Sequence, residues 1–195
     1  MARSGGVEGN ERLTALVAAV LLLSLFVVGL TVPLAHSNTR LHVIVGTVVI
    51  PPVLLKIAST TWRMVRYYTG AAAYRRKGPP FIVLRLLGPV LVVLTVVLLF
   101  SGVGLVVWVP ASWHAQFSQI HHGSFLLWFV VMAIHVLAHL KETALVGPRD
   151  VLARTRRQIA GASLRVWASL SSLATGAVAA ALIAPYAHNG VFFGN

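Results

Sequence analysis

The chain has 195 residues, of which 57% are hydrophobic and 10% charged, with four acidic side chains against sixteen Lys and Arg. Soluble domains carry about a quarter charged residues, so this composition, with a mean hydropathy of +0.84, indicates an integral membrane protein. Because the chain has no cysteine, cysteine-ligated iron–sulfur clusters, covalently attached haem, disulfides and cysteine nucleophiles are excluded.

Five apolar runs are long enough to cross a bilayer, which takes about 20 helical residues. In chain order they cover residues 13–35, 41–64, 81–109, 123–146 and 164–185. The runs are continuous rather than alternating, which excludes a β-barrel and predicts helices. The first run is too long for a cleaved signal sequence and has Glu8 and Glu11 at its flank, so we expect it to remain as an anchor. We predict an all-α membrane protein with five transmembrane helices in a single domain over residues 1–195.

Lys and Arg are distributed unevenly among the connections between these runs. Counted with the adjoining ends of the runs, the second-to-third connection carries six (Arg63, Arg66, Arg75, Arg76, Lys77 and Arg85) and the fourth-to-fifth also carries six (Lys141, Arg149, Arg154, Arg156, Arg157 and Arg165). The first-to-second connection has Arg40 alone, and residues 110–120 have none. The positive-inside rule therefore places the N-terminus in the cytoplasm and the C-terminus outside. The net charge of +12 is explained in the same way. It does not indicate nucleic-acid binding, because the basic residues lie in short segments between apolar runs and not on a soluble face.

Two sequence features predict how the spans bend and pack. Pro51-Pro52 removes two amide donors inside the second span and so frees the carbonyls of Thr47 and Val48. The fifth span carries a ridge of small residues suited to close packing against another helix: Ser172, Gly176 and Ala180.

Histidines are the ionisable residues to consider within the bilayer, where each such residue is costly and a candidate for function. The predicted spans contain no Asp or Glu near their centres, so the material for carboxylate relays and cation sites is missing. His121 and His135 are 14 residues apart, which is about 21 Å and nearly four turns of helix. His139 follows five turns after His121, so the three share one face of the fourth span. His122 points about 100° away from that face.

On the second span, His42 lies at the same outer depth as His121, and Gly46 follows one turn inward on the same face. Two imidazoles from different helices at one depth can hold a haem iron from both sides of its ring. A glycine one turn away leaves room for a flat macrocycle close to the backbone. His42 and His121 are therefore the first pair of candidate metal ligands, with Gly46 as a cofactor-binding position.

A second pair of haem ligands is harder to find in this sequence. The position opposite His135 on the second span, 14 residues beyond His42, is Lys56, which is not an expected haem b ligand. His135 and His139 are four residues apart on one helix, so they cannot approach one iron from opposite faces. One haem b is expected, and a second, with His135 as the possible ligand, stays open.

These histidines resemble those of the membrane-bound b-type cytochromes. The matching elements are His42-Val-Ile-Val-Gly46 at the start of one span, and His121 with His135 fourteen residues later on another. The family includes cytochrome b561-type proteins, haem b subunits of nickel–iron hydrogenase and formate dehydrogenase, and membrane modules of molybdopterin oxidoreductases. The resemblance implies a four-helix haem-binding core, two haems held by four histidines, and electron exchange with quinones and a redox partner subunit. This chain departs from the pattern at Lys56 and by having no histidine inside the first span.

Other roles for the same residues remain open at this point. His42 and His121 lie near helix ends, where they can also reach water, and His135 can instead hydrogen-bond to a neighbouring helix. An interfacial role is as well supported as ligation for His139. His36 with Asn38 and Arg40 is a candidate cofactor-binding group for haem propionates or a quinone carbonyl.

The leading functional hypothesis is a haem b electron-transfer protein of the cell membrane, multi-pass and bacterial, that depends on a partner for any bond-making chemistry. The alternative is a non-redox anchor or scaffold subunit, which the small-residue ridge and basic connections would serve equally well. A transporter or channel is disfavoured because no inverted repeat is visible in the sequence.

Overall fold

A computed structural model describes residues 6–78 and 81–188. Within these residues the chain is helical and contains no strand. The α-helices are α1 (Val7–Thr31), α2 (Thr39–Tyr68), α3 (Ala72–Lys77), α4 (Ile82–Val107), α5 (His114–Val146), α6 (Ala153–Arg156) and α7 (Ala162–Ile183). Short 3-10 turns lie at Ala111–Trp113, Gly147–Asp150 and Ala184–Tyr186.

Five of these helices are long and apolar enough to cross a membrane, namely α1, α2, α4, α5 and α7. The prediction of an all-α chain with five such helices is therefore confirmed. Large apolar side chains cover their outward faces, as shown by Leu23 at 71% exposure and Leu137 at 72%. Apolar surface on this scale suits contact with lipid rather than water, and it fits a multi-pass membrane protein.

The helix ends differ from the ends of the predicted spans, most of all at the start of α5. The sequence suggested a connection over residues 110–120, whereas α5 begins at His114, directly after the turn at Ala111–Trp113. No proline or glycine occurs between residues 111 and 122. Nothing therefore prevents the helix from beginning before its apolar run does. Hydropathy marks the expected lipid boundary and not the helix terminus.

Neighbouring helices pack as two groups. In the first group α2 packs against both α1 and α7, and in the second α4 packs against α5. The contact between α1 and α2 contains an apolar cluster, in which Val17 and Leu21 of α1 pack with Val49 and Val53 of α2. The backbones of α2 and α5 hardly approach each other in the described residues.

The closest helix contact is that of α7 with α2, at Gly176 and Val48. A Cβ atom built on Gly176 would lie 2.8 Å from the carbonyl carbon of Val48 and closer still to its oxygen. Val48 is four residues before Pro52, which has no N–H to donate to that carbonyl. The ridge of small residues thus packs where the two prolines release the α2 backbone, and Pro51 and Pro52 both remain inside the helix.

A buried ion pair joins the turn after α5 to the start of α7. The guanidinium of Arg165 donates to the two carboxylate oxygens of Asp150, at 2.5 and 3.2 Å. Asp150 is 1% exposed and Arg165 6% exposed. Arg12 of α1 approaches the same carboxylate to 4.0 Å. From the sequence, Arg165 entered only the count of basic residues that predicts membrane orientation, and no role was predicted for Asp150.

Replacement of Gly176 by Ala should destabilise the protein by about 1–3 kcal/mol, the usual cost of overpacking a close contact. The added methyl group would collide with backbone atoms of Val48, which cannot move aside like the end of a side chain. Thermal unfolding of the purified protein in detergent measures the change. Gly123→Ala in α5 is the matched control, because nothing lies within 4 Å of its Cβ position. Equal stability of the two variants would contradict the close α2–α7 contact.

Candidate functional site

His42 lies in the first turn of α2 and is hydrogen-bonded to the end of α1. Its Nδ1 is 2.8 Å from Thr31 Oγ1. The Thr31 hydroxyl donates its single proton to the carbonyl of Val28 at 2.6 Å, so it accepts from His42. The neutral imidazole therefore carries its proton on Nδ1 and its lone pair on Nε2.

His121 of α5 is held in the same tautomer by α4. Its Nδ1 lies 3.1 Å from the carbonyl oxygen of Leu98, an acceptor only, and 3.2 Å from Ser101 Oγ. Nδ1 is therefore the donor, and the lone pair is again on Nε2. The ring rests on Gly102, where a Cβ atom would come within 2.8 Å of His121 Cε1. Only glycine accommodates the ring in this position.

The structure brings these two histidines together at one end of the molecule. The imidazole of His121 is within electrostatic range of His42 and of His122. His122 is exposed and donates from Nδ1 to the carbonyl of Ser118 at 2.8 Å on its own helix. Its ring centre is 6.0 Å from that of His121, at an interplanar angle of 77°. His121 is thus fixed by a second helix, whereas His122 is hydrogen-bonded to the backbone of its own helix.

Gly46 has open space beside it. It lies one turn after His42 on α2, and nothing is found within 4 Å of a Cβ atom built on it. No neighbouring helix packs against this position, in contrast to Gly102 and Gly176. The side of α2 that follows His42 is therefore open to a flat group of atoms.

At the other end of the molecule, His135 and His139 have ring centres 4.8 Å apart. The Nδ1 atom of His135 is buried and has no hydrogen-bond partner. Nδ1 of His139 is 3.6 Å from a carboxylate oxygen of Glu142. Lys56 is within electrostatic range of His135, but its ammonium group donates to the carbonyl of Thr14 at 2.9 Å. A lysine engaged in this way offers no lone pair to a metal.

Arg40 lines a different part of the surface. A polar cleft of about 330 Å³ lies between the start of α2 and the end of the chain described after α7. It is lined by Ser37, Asn38, Arg40, Ala187 and His188. Neither His42 nor His121 contributes to it. Two residues along a helix correspond to a turn of about 200°, which separates Arg40 from the face of His42.

The donor set of His42 and His121 fits haem b. Metal-bound histidines nearly always donate their second ring N–H to a carbonyl, carboxylate or other acceptor, as both do here. In the described ranges no group of three or more His, Asp or Glu is placed to hold a bare metal ion. A haem iron would need only two ligands from the protein, and the imidazoles of His42 and His121 would supply them.

Thr31, Leu98 and Gly102 were not predicted from the sequence, although an antiparallel register would have found them. Ser101 is ten residues before the turn at Ala111, and His121 is ten residues after it, so α4 and α5 bring them to the same height. The same symmetry about the α1–α2 turn pairs Thr31 with His42. Residues at equal distances before and after a turn lie at the same height on adjacent antiparallel helices. This rule could have indicated from the sequence which residues face His42 and His121.

No protein-family model, no curated protein and no solved structure matches this chain. The geometry of its own residues therefore carries the functional conclusion.

Replacement of Gly102 by Ala should move the His121 ring off α4 and weaken its bond to Leu98. Nitrogen NMR of the imidazoles in haem-free protein distinguishes the tautomers. In the wild type we expect an unprotonated Nε2 for both His42 and His121. In the variant only His121 should change. Gly88→Ala, on the same helix with nothing within 4 Å of its Cβ position, is the control. A wild-type His121 protonated on Nε2 would refute the assigned hydrogen bond.

Proposed function

We propose that this protein is a haem b electron-transfer protein of the membrane, with His42 and His121 as the axial ligands of one haem. The observation that carries the proposal is the shared tautomer of these two histidines. Each donates Nδ1–H to an oxygen of an adjacent helix, Thr31 of α1 or Leu98 of α4. Each therefore directs its electron pair through Nε2, the arrangement typical of metal-bound imidazole.

When bound, haem b would supply a carrier that accepts and releases one electron. The chain's own residues would bind and orient it. Two imidazoles on separate helices would limit the tilt of the haem plane. The contact of the His121 ring with Gly102 sets the height of that imidazole along α4. The apolar cluster of Val43, Leu105 and Ile183 at this end keeps water from the adjoining helix contacts. Low polarity around a redox site raises the cost of a charge change and so tunes its potential.

We further propose that α1, α2, α4 and α5 form the four-helix core, with the N-terminus in the cytoplasm. Helix contacts support this sidedness. The end of the molecule built from residues 7–14, 56–78, 81–85 and 139–165 contains all four acidic residues and all basic residues of the described part except Arg40. A strongly basic end belongs on the cytoplasmic side, which places His42 and His121 near the external leaflet.

Electrons are proposed to pass between a quinone pool and a redox partner subunit. The connections described between the spanning helices are too short to hold a second redox domain, so a partner would supply any bond-making chemistry. One haem per chain is expected, because Lys56, the residue opposite His135, is bonded to the α1 backbone. His135, with its unpartnered buried Nδ1, and His139 are the residues left for a second haem or a quinone.

The purified protein from haem-sufficient cells should show the visible spectrum of low-spin haem b, with a haem-to-protein ratio near one. His42→Ala and His121→Ala should each lose this spectrum, since each removes one axial ligand. His122→Ala should keep it, because that exposed ring is held by its own helix. A colourless wild-type protein would refute the proposal and favour the anchor or scaffold function.

Filling the space beside Gly46 should prevent haem binding without unfolding the protein. Gly46→Leu places a side chain where no protein atom lies within 4 Å of the Cβ position, so the haem-free fold should tolerate it. Absorbance and thermal unfolding measured on the same sample separate the two effects. Gly29→Leu in α1, equally unobstructed, should keep both haem and stability. Full haem content in Gly46→Leu would show that the macrocycle lies elsewhere.

A further inference from the structure

A chain of two hydrogen bonds runs from His42 through Thr31, the last residue of α1, to the carbonyl of Val28. His42 Nδ1–H donates to Thr31 Oγ1 at 2.8 Å, and the Thr31 hydroxyl donates to the carbonyl of Val28 at 2.6 Å. Thr31 is 5% exposed, so bulk water does not compete for these bonds. Because the hydroxyl proton is already donated to Val28, Thr31 can act toward His42 only as an acceptor.

We propose that Thr31 is a positioning residue that fixes the tautomer of His42 and sets how strongly its Nε2 donates electrons to the iron. This inference rests on the proposed function. An acceptor at Nδ1–H increases the basicity of the opposite nitrogen and fixes the orientation of the ring. A more basic axial ligand stabilises the oxidised iron, so Thr31 lowers the reduction potential.

The two axial ligands differ in how they are held. His121 is bonded to the backbone carbonyl of Leu98, which no substitution of that side chain removes. The hydrogen bond of His42 to Thr31 is made with a side chain, and that side chain belongs to a different helix. The first span contributes no histidine, and through Thr31 it nevertheless takes part in the site.

The Thr31 bond also makes the site sensitive to the packing of α1. At the opposite end of the α1–α2 contact, the Thr14 hydroxyl donates to Ser59 Oγ at 3.1 Å and Asn10 Nδ2 donates to the Ser59 carbonyl at 3.0 Å. These bonds set the register of α1 along α2. A shift of that register would change the Thr31–His42 distance before it affected the α4–α5 pair.

The test compares Thr31→Val, nearly equal in shape but without an acceptor, with Thr31→Ser, which keeps the hydroxyl. Thr47→Val is the matched control, because Thr47 is also buried and its hydroxyl donates to the carbonyl of Val43 one turn back on its own helix. Redox titration, EPR of the oxidised haem and haem affinity are measured for each protein. These readouts report on the ligand field and not on activity.

We expect Thr31→Val to raise the reduction potential, alter the EPR anisotropy and weaken haem binding about 10- to 100-fold. Thr31→Ser and Thr47→Val should match the wild type. If Thr31→Val does not accumulate, Thr31→Ala removes the same acceptor without adding bulk. Haem-loaded Thr31→Val or Thr31→Ala with wild-type potential, spectrum and affinity would overturn this inference and leave the proposed function standing. A wild-type protein that binds no haem overturns both.

Discussion

A neutral imidazole has one N–H and one lone pair, so a hydrogen bond at one nitrogen decides what the other can do. The proposed site depends on this constraint. Thr31 and Leu98 each accept from a histidine Nδ1, and both Nε2 atoms become electron-pair donors as a result. Neither acceptor is on the same helix as the histidine it orients. The chemistry proposed for α2 and α5 is therefore set by α1 and α4.

The packing of α2 likewise depends on a neighbouring helix. Pro51 and Pro52 weaken the backbone ladder of α2, and Gly176 of α7 allows a close approach at the released carbonyl of Val48. Membrane helices cannot rely on the hydrophobic effect to associate, so small residues and polar contacts take its place. α7 thereby supports α2 at this contact, and no protein atom lies within 4 Å of a Cβ position on Gly46.

Among the described residues, the buried charged side chains lie at one end of the molecule. Asp150 and Arg165 form a nearly enclosed ion pair, with Arg12 beside it, and Lys56 reaches the α1 backbone. A buried pair of this kind is costly to break because it would leave an uncompensated charge. These contacts hold α1, α7 and the turn after α5 together at the basic end, while the opposite end holds the neutral imidazoles of His42 and His121.

By itself the sequence determined the helical class, the five apolar helices and the helical register that puts His121 and His135 on one face. Each follows from a period or a run length along a single segment, and helix geometry converts spacing directly into position. The start of α5 lies before the predicted span, because hydropathy responds to lipid while a helix continues until its backbone is interrupted. The sequence also did not reveal the polar cleft that Arg40 lines. Only the tertiary structure decided the tautomers of His42 and His121 and the contact of the His121 ring with Gly102. It also decided the open space beside Gly46 and the Asp150–Arg165 ion pair. Those features join atoms of different helices, and the relative rotation of two helices is set by side-chain packing between them rather than by a pattern within either.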